Sequence, residues 1–289
     1  PHLTITAPMS KLIQVKIEPL VFDCRVSGKE GSEAVILLHG FPETSFMWTP
    51  LMEQLSSEGY YCVAPDMRGY SKNACPKGLE NYRIPKLCQD VLDLSRALGL
   101  ERFHLIGHDW GAIIGWYFIH KFPEKVWSLT ALSVPHPRAF ATAYKQHREQ
   151  RKKSRYIRWF MIPYLPEIYI RRNDLSLLRG LWKRSRPEEL ENYLSVFRRK
   201  ECLTAALNYY RSNFGRGKLE KIGPAEVPTL FIWGRHDVAI SSMAAENNQE
   251  YMLGDYRFLP LETGHWLVQS ELPEVAAAIT AHLKKYRPS

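Results

Sequence analysis

The sequence has few cysteines, no long hydrophobic run and no signal-like start. Its five cysteines are an odd number without a Cys-x-x-Cys pair, which argues against zinc ribbons and disulfide frameworks and predicts free thiols in a reducing compartment. The longest nearly apolar run, Gly111 to Ile119, is half the length that a membrane-spanning helix needs. Residues Pro1 to Pro8 lack the basic and apolar regions of a signal peptide. We interpret them as a linker remnant and expect a cytoplasmic protein.

Acidic residues are scarce in one part of the chain only. The 289 residues include 39 Lys and Arg against 30 Asp and Glu, a net charge of +9. Between residues 136 and 222 the numbers are 21 and eight, so this segment alone carries a charge of +13. No recognition motif accompanies the charge, and we expect no nucleic-acid partner. The segment forms either a solvated face or a surface for weak peripheral contact with anionic membranes.

Short apolar runs rich in branched residues alternate with helical patterns outside that segment. Nearly continuous apolar strands separated by helices predict an α/β fold, with a mostly parallel sheet covered by helices on both faces. An alternating stretch from Leu12 to Val26 predicts an antiparallel hairpin at one edge. The predicted buried strands are Val35–His39, Tyr61–Pro65, Phe103–Gly107, Leu129–Ser133, Pro228–Gly234 and Tyr256–Pro260, and the predicted helices include Ile84–Leu98 and Pro273–Tyr286.

The alternation of strands and helices stops between residues 136 and 222. Amphipathic, arginine-rich helical patterns replace it, for example at Glu188–Arg199 and Thr204–Phe214. Pro135 and Pro137 open this segment, and Gly215, Gly217, Gly223 and Pro224 close it. We therefore predict an all-helical cap at 136–222, inserted into a core that consists of residues 9–135 and 223–289.

The strongest chemical signal is Gly107-His108-Asp109-Trp110-Gly111. A predicted strand ends at Gly107 and an apolar helix begins by Gly111, which is the context of a nucleophile elbow. Its two glycines permit a tight, strained turn. Asp109 occupies the centre, where the motif most often has a serine. An N-terminal cap of the helix is the alternative role for this aspartate, but the glycines and the flanking elements favour the nucleophile.

An aspartate nucleophile changes the class of reaction. A carboxylate is ionised at neutral pH without help from a base, but it is a modest nucleophile. It suits displacement at a saturated carbon that carries a leaving group, such as an alkyl halide or a strained epoxide. The product is an alkyl ester of Asp109, which a histidine-activated water then hydrolyses.

Two further motifs supply the histidine and its partner. His265, in Gly264-His265-Trp266 after the last predicted strand, is the predicted base, with a surface histidine as the alternative. Asp237 follows the preceding strand and is predicted to orient the imidazole. A position just after Ser133 is the alternative place for the acid, but no acidic residue stands there. The order nucleophile, acid, histidine is typical of the α/β-hydrolase fold.

Backbone amides near the elbow are predicted to stabilise the negative charge that develops during ester hydrolysis. The segment His39–Pro42 follows the first buried strand, and the N–H groups of Phe41 and Trp110 would form this oxyanion hole. An ordinary strand-end turn is the alternative for this weak motif. We also predict that Asp66 forms a structural pair with Arg68 and has no catalytic role.

Four short motifs together resemble the epoxide hydrolases of the α/β-hydrolase fold, over essentially the whole chain from Met9. They are His39-Gly40-Phe41-Pro42, Gly107-His108-Asp109-Trp110-Gly111, Val134-Pro135-His136-Pro137 and Gly264-His265-Trp266. The resemblance implies two cap tyrosines that hold and protonate the epoxide oxygen, and Tyr156 and Tyr210 match those positions. Core aromatics at helical spacing are the alternative reading, and Tyr164 and Tyr209 remain open as replacements.

The resemblance implies an enzyme that converts epoxides to vicinal diols. Because nucleophile, acid and base are all side chains, we expect no cofactor and no metal. Phe41, Trp110, Trp159 and Trp266 are predicted to line an apolar pocket for lipophilic or aryl epoxides. We expect a small-molecule epoxide and water as partners of a monomer or homodimer.

Two other functions are compatible with the fold. A haloalkane dehalogenase would use the same nucleophile, with the indole N–H of Trp110 donating to the halide. A catalytically silent receptor or scaffold is the other alternative, since fold alone does not imply catalysis. The complete set Asp109, Asp237 and His265 argues against a silent protein.

Overall fold

Eight strands form one mixed sheet in the part of the chain that the structure describes. The structure is a computed structural model that describes residues 10–214 and 219–287, so the predicted linker at 1–8 lies outside the described residues. The strands are β1 (Lys11–Ile17), β2 (Leu20–Ser27), β3 (Ala34–Leu38), β4 (Tyr61–Pro65), β5 (Phe103–His108), β6 (Val126–Leu132), β7 (Thr229–Gly234) and β8 (Tyr256–Leu261). Their order across the sheet is β1-β2-β4-β3-β5-β6-β7-β8.

Only one edge of the sheet is antiparallel. β1 and β2 form the hairpin predicted there, and β2 also pairs antiparallel with β4. From β4 to β8 every neighbouring pair is parallel. Every residue of β3, β4 and β5 is buried, because helices cover both faces of the sheet. The predicted α/β fold with a mostly parallel sheet is confirmed.

Two groups of helices flank the sheet. α1 packs against α13, and α2 packs against α3. α1 spans Thr49–Ser57, α2 Ile84–Ala97, α3 Trp110–Lys121, α11 Ser242–Glu246, α12 Leu267–Ser270 and α13 Leu272–Lys285. None of the helices in residues 10–214 and 219–287 has both the length and the apolar character that crossing a bilayer requires.

The segment between β6 and β7 is helical. It contains α4 (Pro137–Gln146), α5 (Arg148–Lys153), α6 (Arg155–Phe160), α7 (Leu165–Ile170), α8 (Ser176–Leu181), α9 (Pro187–Phe197) and α10 (Lys200–Asn213). Hydrogen bonds join this segment to loops at the carboxyl ends of two strands. The ammonium group of Lys153 on α5 donates to the carbonyl oxygen of Asp237, after β7. The hydroxyl of Tyr209 on α10 donates to the carbonyl oxygen of Arg68, after β4, at 2.6 Å. The helices therefore lie over the carboxyl edge of the sheet.

Glycines allow close approach of the turn between β5 and α3 to the loop that follows β3. A Cβ atom on Gly111 would lie 2.0 Å from the carbonyl oxygen of Leu38, and one on Gly40 would lie 2.3 Å from the Cβ of Asp109. Neither approach is sterically possible for a residue with a side chain. The glycine spacing in the elbow therefore reflects the packing of α3 against the ends of β3 and β5.

Replacing Gly111 should damage the fold as well as the site. Gly111→Ala places a methyl group against fixed backbone, and we expect a loss of about 3 kcal/mol in the free energy of unfolding. Gly180→Ala is the matched control, because no atom lies within 4 Å of its new Cβ and the position is helical. The free energy of unfolding of that control should rise by up to about 1 kcal/mol, because alanine favours a helix more than glycine does. Denaturant unfolding measures both, and equal stability of the two variants would contradict the packing argument.

Candidate active site

Asp109 lies on the sharp turn between β5 and α3. Its backbone has φ 54° and ψ −116°, a conformation that residues other than glycine rarely adopt and that costs about 1–3 kcal/mol. Its N–H donates to the carbonyl oxygen of Leu132 at 3.3 Å. The side chain is buried, and Oδ1 accepts a hydrogen bond of 2.8 Å from the N–H of Phe41. The carboxylate therefore has a fixed direction at the carboxyl edge of the sheet.

His265 lies between two carboxylates. Its Nε2 is 3.4 Å from Oδ2 of Asp109, and its Nδ1 donates to Oδ2 of Asp237 at 2.7 Å. Asp237 is fully buried, and its Oδ1 accepts from the amides of Ala239 at 2.7 Å and Ile240 at 3.0 Å. The structure thus brings the predicted nucleophile, base and orienting acid into one row.

The neighbouring charges in this row stabilise one another. Burial disfavours an imidazolium, but the carboxylates of Asp237 and Asp109 outweigh it and raise the pKa of His265 to about 10. Burial also opposes a charged Asp109, yet the hydrogen bond and charge of His265 lower the pKa of that carboxyl below its usual value. At neutral pH the resting site therefore holds an ionised Asp109 beside an imidazolium.

Two side chains that the sequence did not single out hold the backbone of His265. The hydroxyl of Ser133 donates to the carbonyl oxygen of His265 at 2.7 Å, and Nε2 of His108 lies 2.9 Å from the same oxygen. Nδ1 of His108 lies 3.3 Å from Oε2 of the fully buried Glu43. The position of His108 next to the nucleophile could have indicated its role from the sequence. The role of Ser133 could not be recognised in this way, because its partner is 132 positions away.

Tyr156 on α6 and Tyr210 on α10 line the same narrow cavity as Asp109. Their rings pack edge to face, with centroids 6.0 Å apart. Burial raises the pKa of both phenols, and the negative charge of Asp109 raises it further. Both hydroxyls are therefore protonated at neutral pH and can act as hydrogen-bond donors.

The two alternative tyrosines lie elsewhere. The hydroxyl of Tyr209 donates to the carbonyl oxygen of Arg68, and its side chain is fully buried against the core. Tyr164 is 78% exposed just before α7. Neither residue is among those that line the cavity with Asp109. The geometry therefore favours Tyr156 and Tyr210 as the pair near the nucleophile.

Phe41 and Trp110 contribute to the site in different ways. The amide of Phe41 contacts the Asp109 carboxylate, whereas its ring packs edge-on against Tyr210, with centroids 5.8 Å apart. Trp110 begins α3, and its side chain lines the cavity. Among the hydrogen bonds between described residues, the Asp109 carboxylate accepts from the amide of Phe41 and not from that of Trp110.

The cavity lining differs from the predicted one, because Phe41, Trp159 and Trp266 are not part of it. Trp159 packs edge-on against Tyr169, with centroids 5.6 Å apart. Trp266 packs against the ring of His265 at 5.2 Å and so supports the base from the side. Their places are taken by smaller or less obvious side chains. These apolar residues include Ile113, Val134, Phe140, Ile157, Phe214 and Ile240.

The predicted pair of Asp66 with Arg68 is wrong. The guanidinium of Arg68 makes two hydrogen bonds to the carboxylate of Asp90 on α2, at 2.7 and 2.6 Å. Asp66 instead accepts a hydrogen bond of 2.8 Å from the amide of Ser45. The partner of Arg68 thus comes from α2, 22 positions along the chain, and not from the adjacent loop residue.

Comparison with known proteins agrees with this geometry. The profile of the family described as alpha/beta hydrolase fold matches residues 33–271. Epoxide hydrolase 3 of Xenopus tropicalis is 34% identical over 94% of this chain and 77% of that protein. Epoxide hydrolase 4 of Homo sapiens is 33% identical over 94% of this chain and 78% of that protein.

A solved structure extends the similarity to three dimensions. An epoxide hydrolase of Bacillus megaterium, crystallised with an inhibitor, superposes with a TM-score of 0.86 at 27% identity, covering 94% of this chain and all of that one. The fold, the order of the sequence motifs and the sequence identity all indicate the same family. The chain belongs to the α/β-hydrolase family, among its epoxide hydrolases.

Proposed function

We propose that this protein hydrolyses lipophilic or aryl epoxides to vicinal diols through an alkyl ester of Asp109. One observation carries the proposal: a buried carboxylate and two protonated phenols line the same apolar cavity. A carboxylate can attack an epoxide carbon, and a phenol can protonate the oxygen that leaves it. No other pairing of side chains in the described cavity supplies both a nucleophile and an acid.

The first step is ring opening. Asp109 attacks one epoxide carbon, the C–O bond breaks, and the oxygen takes a proton from Tyr156 or Tyr210. Ester formation removes the negative charge of Asp109, which is one of the two charges that raise the pKa of His265. The imidazolium then gives up its proton, which restores the phenol. The protein thus ends this step with a neutral histidine beside a neutral ester.

The second step uses that neutral histidine as a base. His265 takes a proton from water, and the hydroxide attacks the carbonyl carbon of the ester. The amide of Phe41, already directed at Oδ1 of Asp109, would bind the developing oxyanion, together with the amide of Trp110. Collapse releases the diol and restores the Asp109 carboxylate, and the remaining proton stays on His265. Asp237 stabilises the imidazolium throughout.

Dehalogenation is the second candidate reaction for the same nucleophile. A departing halide needs N–H donors that converge on it. Trp110 is the one side chain with an N–H among the described residues that line the cavity, whereas two phenols are present. This donor set favours an epoxide oxygen over a halide.

Both phenols should contribute to protonation of the epoxide oxygen. With styrene oxide as substrate, Tyr156→Phe and Tyr210→Phe should each slow ring opening about 10- to 100-fold, and the double variant should approach the background rate, because general acid catalysis contributes about 10²- to 10⁴-fold. Tyr164→Phe, exposed and outside the cavity, is the matched control. Diol formation and single-turnover kinetics measure the effect. An unchanged rate in the double variant, or faster halide release from haloalkanes than diol formation, would contradict the assignment.

The helical segment also exposes an apolar surface. Seven of the twelve large hydrophobic side chains that are exposed in the described residues fall within 20 positions of the chain. We call them the cap patch: Ile162, Tyr164, Leu165, Ile168, Tyr169, Leu177 and Leu181. They come from α7, α8 and the residues just before α7, and these two helices pack against each other. Exposed apolar clusters of this kind mark interaction sites.

Basic residues around the cap patch indicate which partner fits it. Arg171, Arg172, Lys183 and Arg184 are exposed, and none of them has a carboxylate within ion-pair distance in the described part of the chain. A second copy would bring like charges together, whereas an anionic bilayer offers both negative headgroups and an apolar interior. We propose that the cap patch makes weak contact with anionic membranes, where lipophilic epoxides also accumulate.

Vesicle sedimentation at low salt tests this contact. Binding to phosphatidylglycerol vesicles should exceed binding to phosphatidylcholine vesicles. The double variant Arg171→Ala with Arg172→Ala should bind the phosphatidylglycerol vesicles about 10- to 30-fold more weakly, because each charge contributes about 1 kcal/mol. Leu165→Ser with Ile168→Ser should also weaken binding, whereas Leu253→Ser, at an even more exposed position outside the cap patch, should not. Equal recovery from both vesicle types, or a dimer that the patch variants dissociate, would refute membrane contact.

A further inference from the structure

Two of the five cysteines lie side by side where the helical segment meets the core. The Sγ atoms of Cys75 and Cys202 are 3.3 Å apart, although the residues are 127 positions apart in the sequence. Cys75 is half-buried in the loop that follows β4, and Cys202 is fully buried in the first turn of α10. A disulfide needs a separation of about 2.05 Å, so small side-chain movements would bring the sulfurs within bonding distance.

A cation lies next to this cysteine pair. Nη2 of Arg199 donates to the carbonyl oxygen of Tyr70 at 2.8 Å, whereas the buried Nη1 has no hydrogen-bond partner. The hydrogen bond from Cys75 lowers the pKa of Cys202 against the effect of burial, and the charge of Arg199 lowers it further. The same hydrogen bond, together with burial, raises the pKa of Cys75. The two sulfurs therefore lie within hydrogen-bond distance, and the neighbouring guanidinium favours a thiolate on Cys202.

The other cysteines lack these properties. Cys24, Cys62 and Cys88 are buried in the core, and burial raises the pKa of each thiol. A buried neutral thiol is a poor nucleophile and is not easily oxidised. The chain thus has one pair of thiols that differs from the rest in partner, charge and access.

We propose that Cys75 and Cys202 form a reversible disulfide in the presence of hydrogen peroxide. The Cys202 thiolate takes the proton of the half-buried Cys75, and the Cys75 sulfur displaces hydroxide from the peroxide and becomes a sulfenic acid. The Cys202 sulfur then attacks the Cys75 sulfur, the S–O bond breaks, and water leaves. In total two thiols lose two protons and two electrons, one peroxide is reduced, and two waters form. A dithiol reductant reverses the reaction.

The bond would connect α10 covalently to the loop after β4. These parts already touch, because a Cβ atom on Gly69 would lie 2.7 Å from the Cβ of Ala205, and Tyr209 hydrogen-bonds the carbonyl oxygen of Arg68. Tyr210, two turns along α10 from Cys202, lines the cavity. The disulfide should therefore hold α10 and its tyrosine in place and oppose any opening of the helical segment that substrate entry or diol release requires. This effect on turnover rests on the proposed function, whereas the bond itself does not.

Peroxide titration of the reduced protein tests the bond directly. Intact mass should fall by about 2 Da, free thiols in denaturant should fall from five to three, and digestion without reductant should give a linked peptide that contains Cys75 and Cys202. The melting temperature should rise by roughly 5–10 °C, because the bond closes a long loop, and dithiothreitol should reverse the rise. Turnover of styrene oxide should fall severalfold together with the mass change.

Two variants make the result decisive. Cys202→Ser should lose the linked peptide and the change in melting temperature, and its remaining Cys75 should be oxidised to sulfinic acid. Cys88→Ser, which removes a buried thiol outside the pair, should keep both effects. The peroxide concentration that oxidises Cys75 in the Cys202→Ser variant sets the reference. If the wild-type protein forms no disulfide at that concentration, or forms disulfides between other cysteines, the proposal is overturned. A link without any loss of turnover would leave the disulfide standing and refute only its effect on catalysis.

Discussion

Two buried carboxylates share one imidazolium at the carboxyl edge of the sheet, and the rest of the site depends on that arrangement of charges. An isolated buried charge costs several kcal/mol, and His265 offsets this cost for the Asp109 carboxylate, whose pKa it lowers. Backbone amides supply the remaining compensation, from Phe41 to the nucleophile and from Ala239 and Ile240 to Asp237. In the proposed reaction the ester removes one of the two negative charges, and the histidine changes from an acid into a base at the point where a base is needed.

The fold holds these charges in position with backbone that comes from distant parts of the chain. Asp109 follows β5, Asp237 follows β7 and His265 follows β8, and parallel strands bring their carboxyl ends to one edge. Ser133 and His108 hold the carbonyl oxygen of His265, and Asp237 and Asp109 hold the two ring nitrogens of its imidazole. The helical segment is tied to the same edge, because Lys153 donates to the carbonyl oxygen of Asp237.

The local sequence pattern was enough to predict those features of the fold that depend on residues close together in the chain. The elbow around Asp109 follows from its glycine spacing, since Gly111 must approach Leu38, and the buried strands follow from their apolar runs. The order of the motifs also predicted that Asp109, Asp237 and His265 meet, but contacts between distant residues that no motif marks were not predictable. Arg68 pairs with Asp90 rather than Asp66, and Cys75 meets a cysteine 127 positions away. The sequence showed that the helical segment is basic, but which apolar side chains it exposes depends on how its short helices pack.

The central claim is that Asp109, and not water, attacks the epoxide, and isotope labelling in a single turnover tests it most directly. Excess wild-type enzyme is mixed with styrene oxide in water enriched in ¹⁸O. If an ester of Asp109 forms, the diol from the first turnover takes its new oxygen from the carboxylate and contains no ¹⁸O. The peptide with Asp109 should then be about 2 Da heavier. A diol that carries ¹⁸O in the first turnover, with an unlabelled Asp109, would show direct attack by water and contradict the account.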